Sequence, residues 1–126
     1  MNGWHYRPIA IVEADDFEND YKRNGLDILF YWKSKFPKFK ITLFTIPGKT
    51  SKEMLELLKP HSSWLEFAVH GFYHHSNFEC WEWSYEKTNE LMQRVENTGY
   101  YTRIFKAAGW TITDKYSGYT ADKSLP

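Results

Sequence analysis

The sequence predicts an α/β fold that is built from successive parallel βα units. Short apolar runs alternate along the 126-residue chain with longer segments of helical periodicity, and unusual polar residues directly follow the apolar runs. Such alternation is typical of a parallel sheet with helical crossovers. A chain of this length is within the ordinary range of one domain, so we expect a single domain.

Two strands and one helix are predicted in the first part of the chain. Ile9–Val12 is a continuous apolar run, as expected for a strand that is covered on both faces. A helix is predicted from about Asp20 to Lys35, because apolar residues recur there at helical spacing. The expected core face of this helix comprises Ile28, Leu29, Trp32 and Phe36. Ile41–Ile46 is the second predicted strand, and Pro47-Gly48 ends it.

A short helix and a third strand follow. Thr50 and Glu53 have the spacing of a capping box, which predicts a helix that starts there and stops near Pro60. Trp64–Val69 is the third predicted strand, and it continues directly into His70.

The last predicted units are a longer helix and a fourth strand. Ser84 is a suitable N-cap, and Gly99 stands where a C-terminal glycine ends such a helix. The predicted inner face of the helix comprises Tyr85, Thr88, Leu91, Met92 and Val95. Arg103–Ala107 is the fourth predicted strand, and residues 111–126 are expected to form a polar tail.

Charge and cysteine content argue against several classes of function. The 16 lysines and arginines balance 16 aspartates and glutamates, so no long-range field attracts nucleic acid or an anionic membrane. Cys80 has no disulfide partner and no neighbours at the spacing of a thiolate zinc site. No run approaches the roughly 20 apolar residues of a membrane span, and the N-terminus lacks a secretory pattern. We therefore expect a cytoplasmic protein that binds neither nucleic acid nor membrane.

Four polar segments follow the predicted strands. They are Asp15-Asp16, Pro47-Gly48, the run from His70 to His75, and the run from Lys106 to Trp110. Because ligands bind at the carboxyl ends of parallel strands, we expect the four segments to meet in one place.

Two of these segments contain candidate metal ligands. His70 and His74 are four residues apart, so one helical turn would direct both imidazoles at one cation. Adding Asp16 gives three ligands and leaves positions for water and substrate, which is typical of a catalytic zinc site, with Asp15 as the neighbouring base. The alternatives are an aspartate-rich turn or helix cap, and a histidine cluster without metal, which is also the favoured interpretation of His75.

These residues resemble the motifs of the polysaccharide deacetylases with the NodB homology domain, carbohydrate esterase family four. Asp15-Asp16 is similar to the first motif of that family, an aspartate pair after the first strand. His70–His74 is similar to its His-(Ser/Thr)-x-x-His motif, with glycine in place of Ser/Thr. The run from Phe105 to Trp110 is similar to its Arg-x-Pro motif, with Lys106 for the arginine and alanine for the proline.

The resemblance implies a metal-dependent hydrolase that removes acetyl groups, most often N-acetyl, from a carbohydrate. It also implies that this chain is the N-terminal part of the domain, in which the parallel βα units form a partial or truncated distorted (β/α) barrel that stops after the fourth strand. Asp15 is implied as the general base, and Lys106 as the cation that orients it. The implied metal ligands are Asp16, His70 and His74. Lysine loses the bidentate pairing of arginine, so we expect a less firmly oriented base. The late histidine that protonates the leaving amine has no counterpart here.

Aromatic residues form 19% of the chain, and some are expected to stack on sugar rings near the site. Tyr73, His75 and Trp110 are the candidate substrate-binding residues. Phe72, Trp81 and Trp83 have the same chemistry, and packing against the sheet is the alternative role for each aromatic.

Three other functions stay open. The chain could be a catalytically inert glycan-binding module on the same scaffold. It could be a metal-dependent amidase for a non-sugar amide, which the lack of an export signal suggests. It could also be an incomplete domain whose exposed strand edges associate with a second copy to complete the sheet.

Overall fold

The computed structural model describes residues 10–20 and 25–111. Within these ranges strands and helices alternate along the chain. The strands are β1 (Glu13–Phe17), β2 (Ile41–Thr45), β3 (Leu65–His70) and β4 (Tyr101–Lys106). The α-helices are α1 (Gly25–Lys35), α2 (Lys52–Leu58) and α3 (Tyr85–Thr98), and short 3-10 turns cover residues 47–49, 59–61, 79–81 and 108–110.

The strands form one sheet in the order β1-β2-β3-β4, and each neighbouring pair is parallel. The predicted α/β class with parallel βα units is therefore confirmed. In the part of the chain that the structure describes, β1 and β4 are not paired with each other, so the sheet is open. The barrel stays a prediction.

Contacts across the sheet show that it curves. Adjacent strands lie about 4.8 Å apart, so β1 and β4 would be about 14 Å apart in a flat sheet. Lys106 Nζ on β4 nevertheless lies 2.7 Å from Asp15 Oδ1 on β1. Because side chains stand roughly perpendicular to a sheet, this contact requires the two outer strands to bend toward each other.

The helices bury apolar side chains in two clusters. Leu26 and Leu29 of α1 join residues of α2 and the sheet in the first cluster. Leu91 and Val95 of α3 join the end of β3 and the chain that follows it in the second. The second cluster includes Cys80, and burial raises the pKa of this thiol to about 11. The thiol is therefore protonated and unreactive at neutral pH.

The position of the first strand differs from the prediction of Ile9–Val12. Ile9 lies outside the described residues, and the chain from 10 to 12 is not a strand. Pairing with β2 starts at Glu13, which lies opposite Thr42. Since β2 begins at Ile41, residues 10 and 11 have no described strand beside them, and Ile11 is exposed. The prediction, which relied on the apolar run alone, therefore put the first strand too close to the N-terminus.

The predicted core face of α1 is wrong in part. Leu29 is buried as predicted, but Ile28, Trp32 and Phe36 are exposed. The helix instead turns Leu26 and Leu29, three residues apart, toward the sheet. The prediction that Trp32 belongs to the core is therefore wrong. Apolar residues lie on several sides of this helix, so their spacing did not identify the side that faces the sheet.

The boundaries of the other two helices agree closely with the sequence. For α2 the N-cap is Ser51, whose Oγ accepts a hydrogen bond from the Met54 N–H at 3.2 Å, and not the predicted Thr50. For α3, Ser84 Oγ accepts from the Lys87 N–H at 3.1 Å, and Gly99 ends the helix with φ of 75°, both as predicted.

Two predictions concern parts of the chain that the structure covers incompletely. Residues 112–126 of the predicted polar tail lie outside the described residues. Among the helices that the structure describes, none has the length and apolarity needed to cross a membrane. The cytoplasmic location stays a prediction.

Adjacent leucines in α2 test the packing of the first cluster. Leu58 is 1% exposed in the core, whereas Leu57 is 51% exposed. We expect Leu58→Ala to lower the free energy of unfolding by about 2–5 kcal/mol, because it leaves a cavity. Leu57→Ala should change it by no more than about 0.5 kcal/mol. Urea denaturation followed by circular dichroism measures both, and equal losses would contradict this position of α2.

Candidate metal centre

The carboxyl ends of β1 and β3 bring the three predicted metal ligands together. Asp16 lies near the end of β1, His70 is the last residue of β3, and His74 follows in the next turn. Asp16 Oδ1 lies 3.2 Å from His70 Nε2 and 3.4 Å from His74 Nε2. One ligand atom from each residue lies within 4.8 Å of the other two. The chain between the histidines is a turn, and not the helix that their spacing suggested.

The spacing and chemistry of these donors suit a small divalent cation. Zinc bonds to nitrogen and oxygen are about 2.0–2.2 Å long, so neighbouring ligands at tetrahedral angles lie about 3.4 Å apart. The distances from Asp16 Oδ1 to the two imidazole nitrogens, 3.2 and 3.4 Å, agree with this value. The side chain of Asp16 is 66% exposed and that of His70 only 3%. The group is therefore open to solvent on the side of the carboxylate.

The tautomer of His70 follows from its second contact. His70 Nδ1 lies 3.0 Å from the carbonyl oxygen of Lys106, which can only accept a hydrogen bond, so Nδ1 carries the proton. In a neutral ring, Nε2 then presents a lone pair to Asp16 Oδ1. Two acceptors at this distance repel each other unless a proton or a metal cation lies between them.

The backbone is strained around the candidate ligands. Asp16 and His74 have φ angles of 61° and 49°, and Trp110 has one of 60°. Residues other than glycine rarely adopt this left-handed region, and each instance costs about 1–3 kcal/mol. Within the described residues these are the non-glycine residues with positive φ. Asp16 is the penultimate residue of β1, and His74 and Trp110 follow β3 and β4, so all three lie near the same edge of the sheet.

A buried carboxylate, Glu79, holds the turn between the two histidines. Its Oε1 accepts a hydrogen bond from the N–H of Phe72 at 2.5 Å, and its Oε2 accepts from the N–H groups of Tyr73 at 2.8 Å and His74 at 2.5 Å. Gly71 has φ of 57°, and a Cβ there would lie 2.9 Å from Glu79 Oε1. The glycine that replaces Ser/Thr in the motif is therefore required by both conformation and space.

Lys106 forms a second group beside the ligands. Its Nζ lies 2.7 Å from Asp15 Oδ1 and 2.7 Å from Glu13 Oε1. The ammonium also lies 3.9 Å from the ring centre of Phe44 and 4.6 Å from that of Trp110. Burial lowers the pKa of Lys106, but its bonds to Asp15 and Glu13 outweigh burial and raise the pKa above its ordinary value. The predicted contact between Lys106 and the candidate base is thus present, with a protonated amine.

The four predicted segments do meet at this edge. The Gly48 N–H donates to the carbonyl oxygen of Phe72 at 2.7 Å, and the Gly71 N–H donates to that of Lys106 at 3.0 Å. These bonds join the chain after β2 to the chain after β3, and the chain after β3 to the end of β4. The meeting of the segments was predictable because parallel strands end at a common edge.

The predicted substrate-binding residues lie in different surroundings. Tyr73 and Trp110 are exposed, and the Trp110 ring lies beneath the Lys106 ammonium. His75 Nδ1 and Nε2 lie 3.4 Å from Glu79 and 3.5 Å from Glu82, and the ring is not part of the metal group. The other aromatics divide: Phe72 and Trp83 are buried, whereas Trp81 is exposed. The substrate-binding roles stay predictions.

Two residues of this site, Glu13 and Glu79, were not among the predicted site residues. Glu79 lies between Phe78 and Cys80, but Glu82 lies between two tryptophans and is exposed, so apolar neighbours in sequence did not single out Glu79 as the buried carboxylate. Glu13 was not singled out either, because the first strand was predicted to end at Val12, whereas β1 begins at Glu13.

Comparisons with models of known protein families, with curated proteins and with solved structures found no significant match. The resemblance to the polysaccharide deacetylases therefore rests on the motif residues alone, and it stays a prediction.

A double-mutant cycle on Lys106→Met and Glu13→Gln tests the ammonium site. We expect an interaction energy of about 1 kcal/mol in urea denaturation, because Lys106 is only 12% exposed and desolvated pairs couple more strongly than solvated ones. The control pair is Lys87 and Glu90 on α3, both about half exposed and 3.4 Å apart. Its coupling should be at most about 0.5 kcal/mol. Equal coupling in the two pairs would refute a special role for Lys106.

Proposed function

We propose that the protein is a metal-dependent hydrolase that removes acetyl groups, N-acetyl groups first, from a carbohydrate. The observation that carries the proposal is the approach of Asp16 Oδ1 to within 3.4 Å of Nε2 in both His70 and His74. The neighbouring carboxylate, Asp15, is bonded to Lys106 at 2.7 Å. Three protein ligands and a separate, oriented carboxylate are typical of a hydrolytic metal site, whereas a structural metal site is closed by four protein ligands.

The proposal includes the fold that the motif resemblance implies. Sequential strand order and the curvature of the sheet are what the first strands of a distorted (β/α) barrel require. Within residues 10–20 and 25–111, β1 and β4 each have one edge without a neighbouring strand. Further strands could pair there, and a second copy of the chain could supply them.

Asp16, His70 and His74 would hold the cation, and their mixture of imidazole and carboxylate donors favours zinc. Bound there, a divalent cation would polarise the acetamide carbonyl and make water more acidic.

Asp15 would act as the general base. One of its oxygens, Oδ1, accepts a hydrogen bond from Lys106, so the other can take the proton of the attacking water. The water oxygen bonds to the acetyl carbon, the carbon–nitrogen bond breaks, and the products are acetate and a free amine. The N–H groups of Phe72, Tyr73 and His74 are bonded to Glu79, so they are not donors to the oxyanion. The acid that protonates the amine is unassigned.

A catalytically inert glycan-binding module is the second candidate. Tyr73, which precedes the candidate ligand His74, is 42% exposed, and Trp110, whose ring lies against the Lys106 ammonium, is 72% exposed. Exposed aromatic side chains of this kind can stack on sugars. Release of acetate distinguishes the two functions.

Metal content tests the centre itself. We expect close to one zinc ion per chain after incubation with zinc and removal of excess, measured by elemental analysis. Asp16→Ala and His70→Ala should lose the metal, because each removes one of three ligands. His75→Ala should retain it, since His75 is outside the group. Circular dichroism checks that each variant is folded, and wild-type protein without metal would rule out the hydrolase.

Acetate release from an N-acetylated oligosaccharide tests the reaction. Asp15→Asn should lower kcat by about 10²–10⁴-fold, because it removes the proposed base, while metal content is unchanged. The matched control is Asp27→Asn, which changes an exposed aspartate on α1 and should have no effect. Wild-type protein that binds both zinc and the oligosaccharide yet releases no acetate would identify the inert module instead.

A further inference from the structure

Glu79 is the buried charged residue of the described chain that the proposed reaction does not use. Its side chain is completely inaccessible to solvent. A carboxylate removed from water is destabilising unless donors or cations compensate it. Three successive backbone N–H groups, those of Phe72, Tyr73 and His74, donate to it, and His75 Nδ1 lies 3.4 Å from its Oε2.

Three consecutive N–H groups converge on one carboxylate only when the backbone folds around it as an anion-binding concavity. The left-handed conformations of Gly71 and His74, with φ of 57° and 49°, produce this curvature. Glu79 therefore stabilises a backbone conformation that the chain disfavours, and it does so at a residue that is itself a candidate ligand.

The two histidine ligands are fixed by different partners. His70 is held from β4, because the Lys106 carbonyl accepts bonds from both the Gly71 N–H and His70 Nδ1. His74 lies beyond the end of the sheet, and its backbone N–H is bonded to Glu79 Oε2. The direction of the His74 ring toward Asp16 thus depends on the Glu79 carboxylate.

We propose that Glu79 is the positioning residue of the metal centre: it does not touch the metal, but it holds His74 where Nε2 can bind it. The proposal rests on the proposed metal site. Partners that orient metal ligands typically contribute about 10–100-fold to metal affinity.

Glu79→Gln is the sharpest variant, because it keeps the size of the side chain. One oxygen remains to accept a hydrogen bond, but the new NH₂ group meets backbone N–H donors and cannot accept from them. Glu82→Gln is the matched control. Glu79 and Glu82 both lie beside His75, but the Glu82 side chain is exposed. Zinc affinity is measured by isothermal titration calorimetry, and folding by circular dichroism.

We expect Glu79→Gln to be folded and to bind zinc at least about tenfold more weakly than wild type, with Glu82→Gln unchanged. The visible absorption of bound cobalt(II) should also change in Glu79→Gln, because the ligand geometry changes. A folded Glu79→Gln with wild-type affinity and spectrum overturns the positioning role and leaves the metal site standing. Wild-type protein that binds no zinc overturns both.

Hydrogen exchange of the wild type covers the case in which Glu79→Gln does not fold. If the turn positions a ligand, binding must in return stabilise the turn, because coupling is reciprocal. Zinc should therefore slow exchange of the Phe72, Tyr73 and His74 amides several-fold. The Ile41 amide, bonded to the Trp64 carbonyl at the opposite end of the sheet, should be unaffected. Zinc binding without slower exchange at the three amides overturns the proposal.

Discussion

The described strands all run in the same direction, so their carboxyl ends must lie along one edge of the sheet. The position of every candidate site residue depends on this constraint. Asp15 and Asp16 lie in the second half of β1, in the irregular stretch between Ala14 and Phe17, whereas His70 ends β3 and Lys106 ends β4. An antiparallel β4 would carry Lys106 to the opposite edge, where neither carboxylate lies within reach.

Lys106 contacts both a candidate metal ligand and the candidate base, each through a different atom. Its carbonyl oxygen accepts from His70 Nδ1, which sets the tautomer of a candidate ligand. Its ammonium bonds to Asp15 and Glu13, which sets the orientation of the candidate base. A lysine has no planar fork with which to bind one carboxylate twice. Here two separate carboxylates hold it, and the Phe44 ring lies against its charge.

The sequence predicted what depends on local chemistry and on strand direction. The cap at Ser84 and the stop at Gly99 involve neighbouring residues, and convergence of the site follows from parallel strands. The start of β1 was predicted wrongly, because it depends on where β2 begins and not on the apolarity of Ile9–Val12. The partners of Glu13 and Glu79 could not be predicted. Glu13 bonds to Lys106, 93 residues away in the sequence. Glu79 accepts bonds from backbone N–H groups, which every residue except proline has, so no sequence pattern marks them.

The contact between Lys106 and Asp15 spans 91 residues, whereas each strand pairs with the next one along the chain. Long loops cost more entropy to close than short ones, so such a contact becomes favourable only when intervening pairs already hold its ends together. The candidate base is therefore oriented only in a chain whose sheet has formed through β4. A nascent or partly unfolded chain can contain the ligands and still lack an ordered reaction centre.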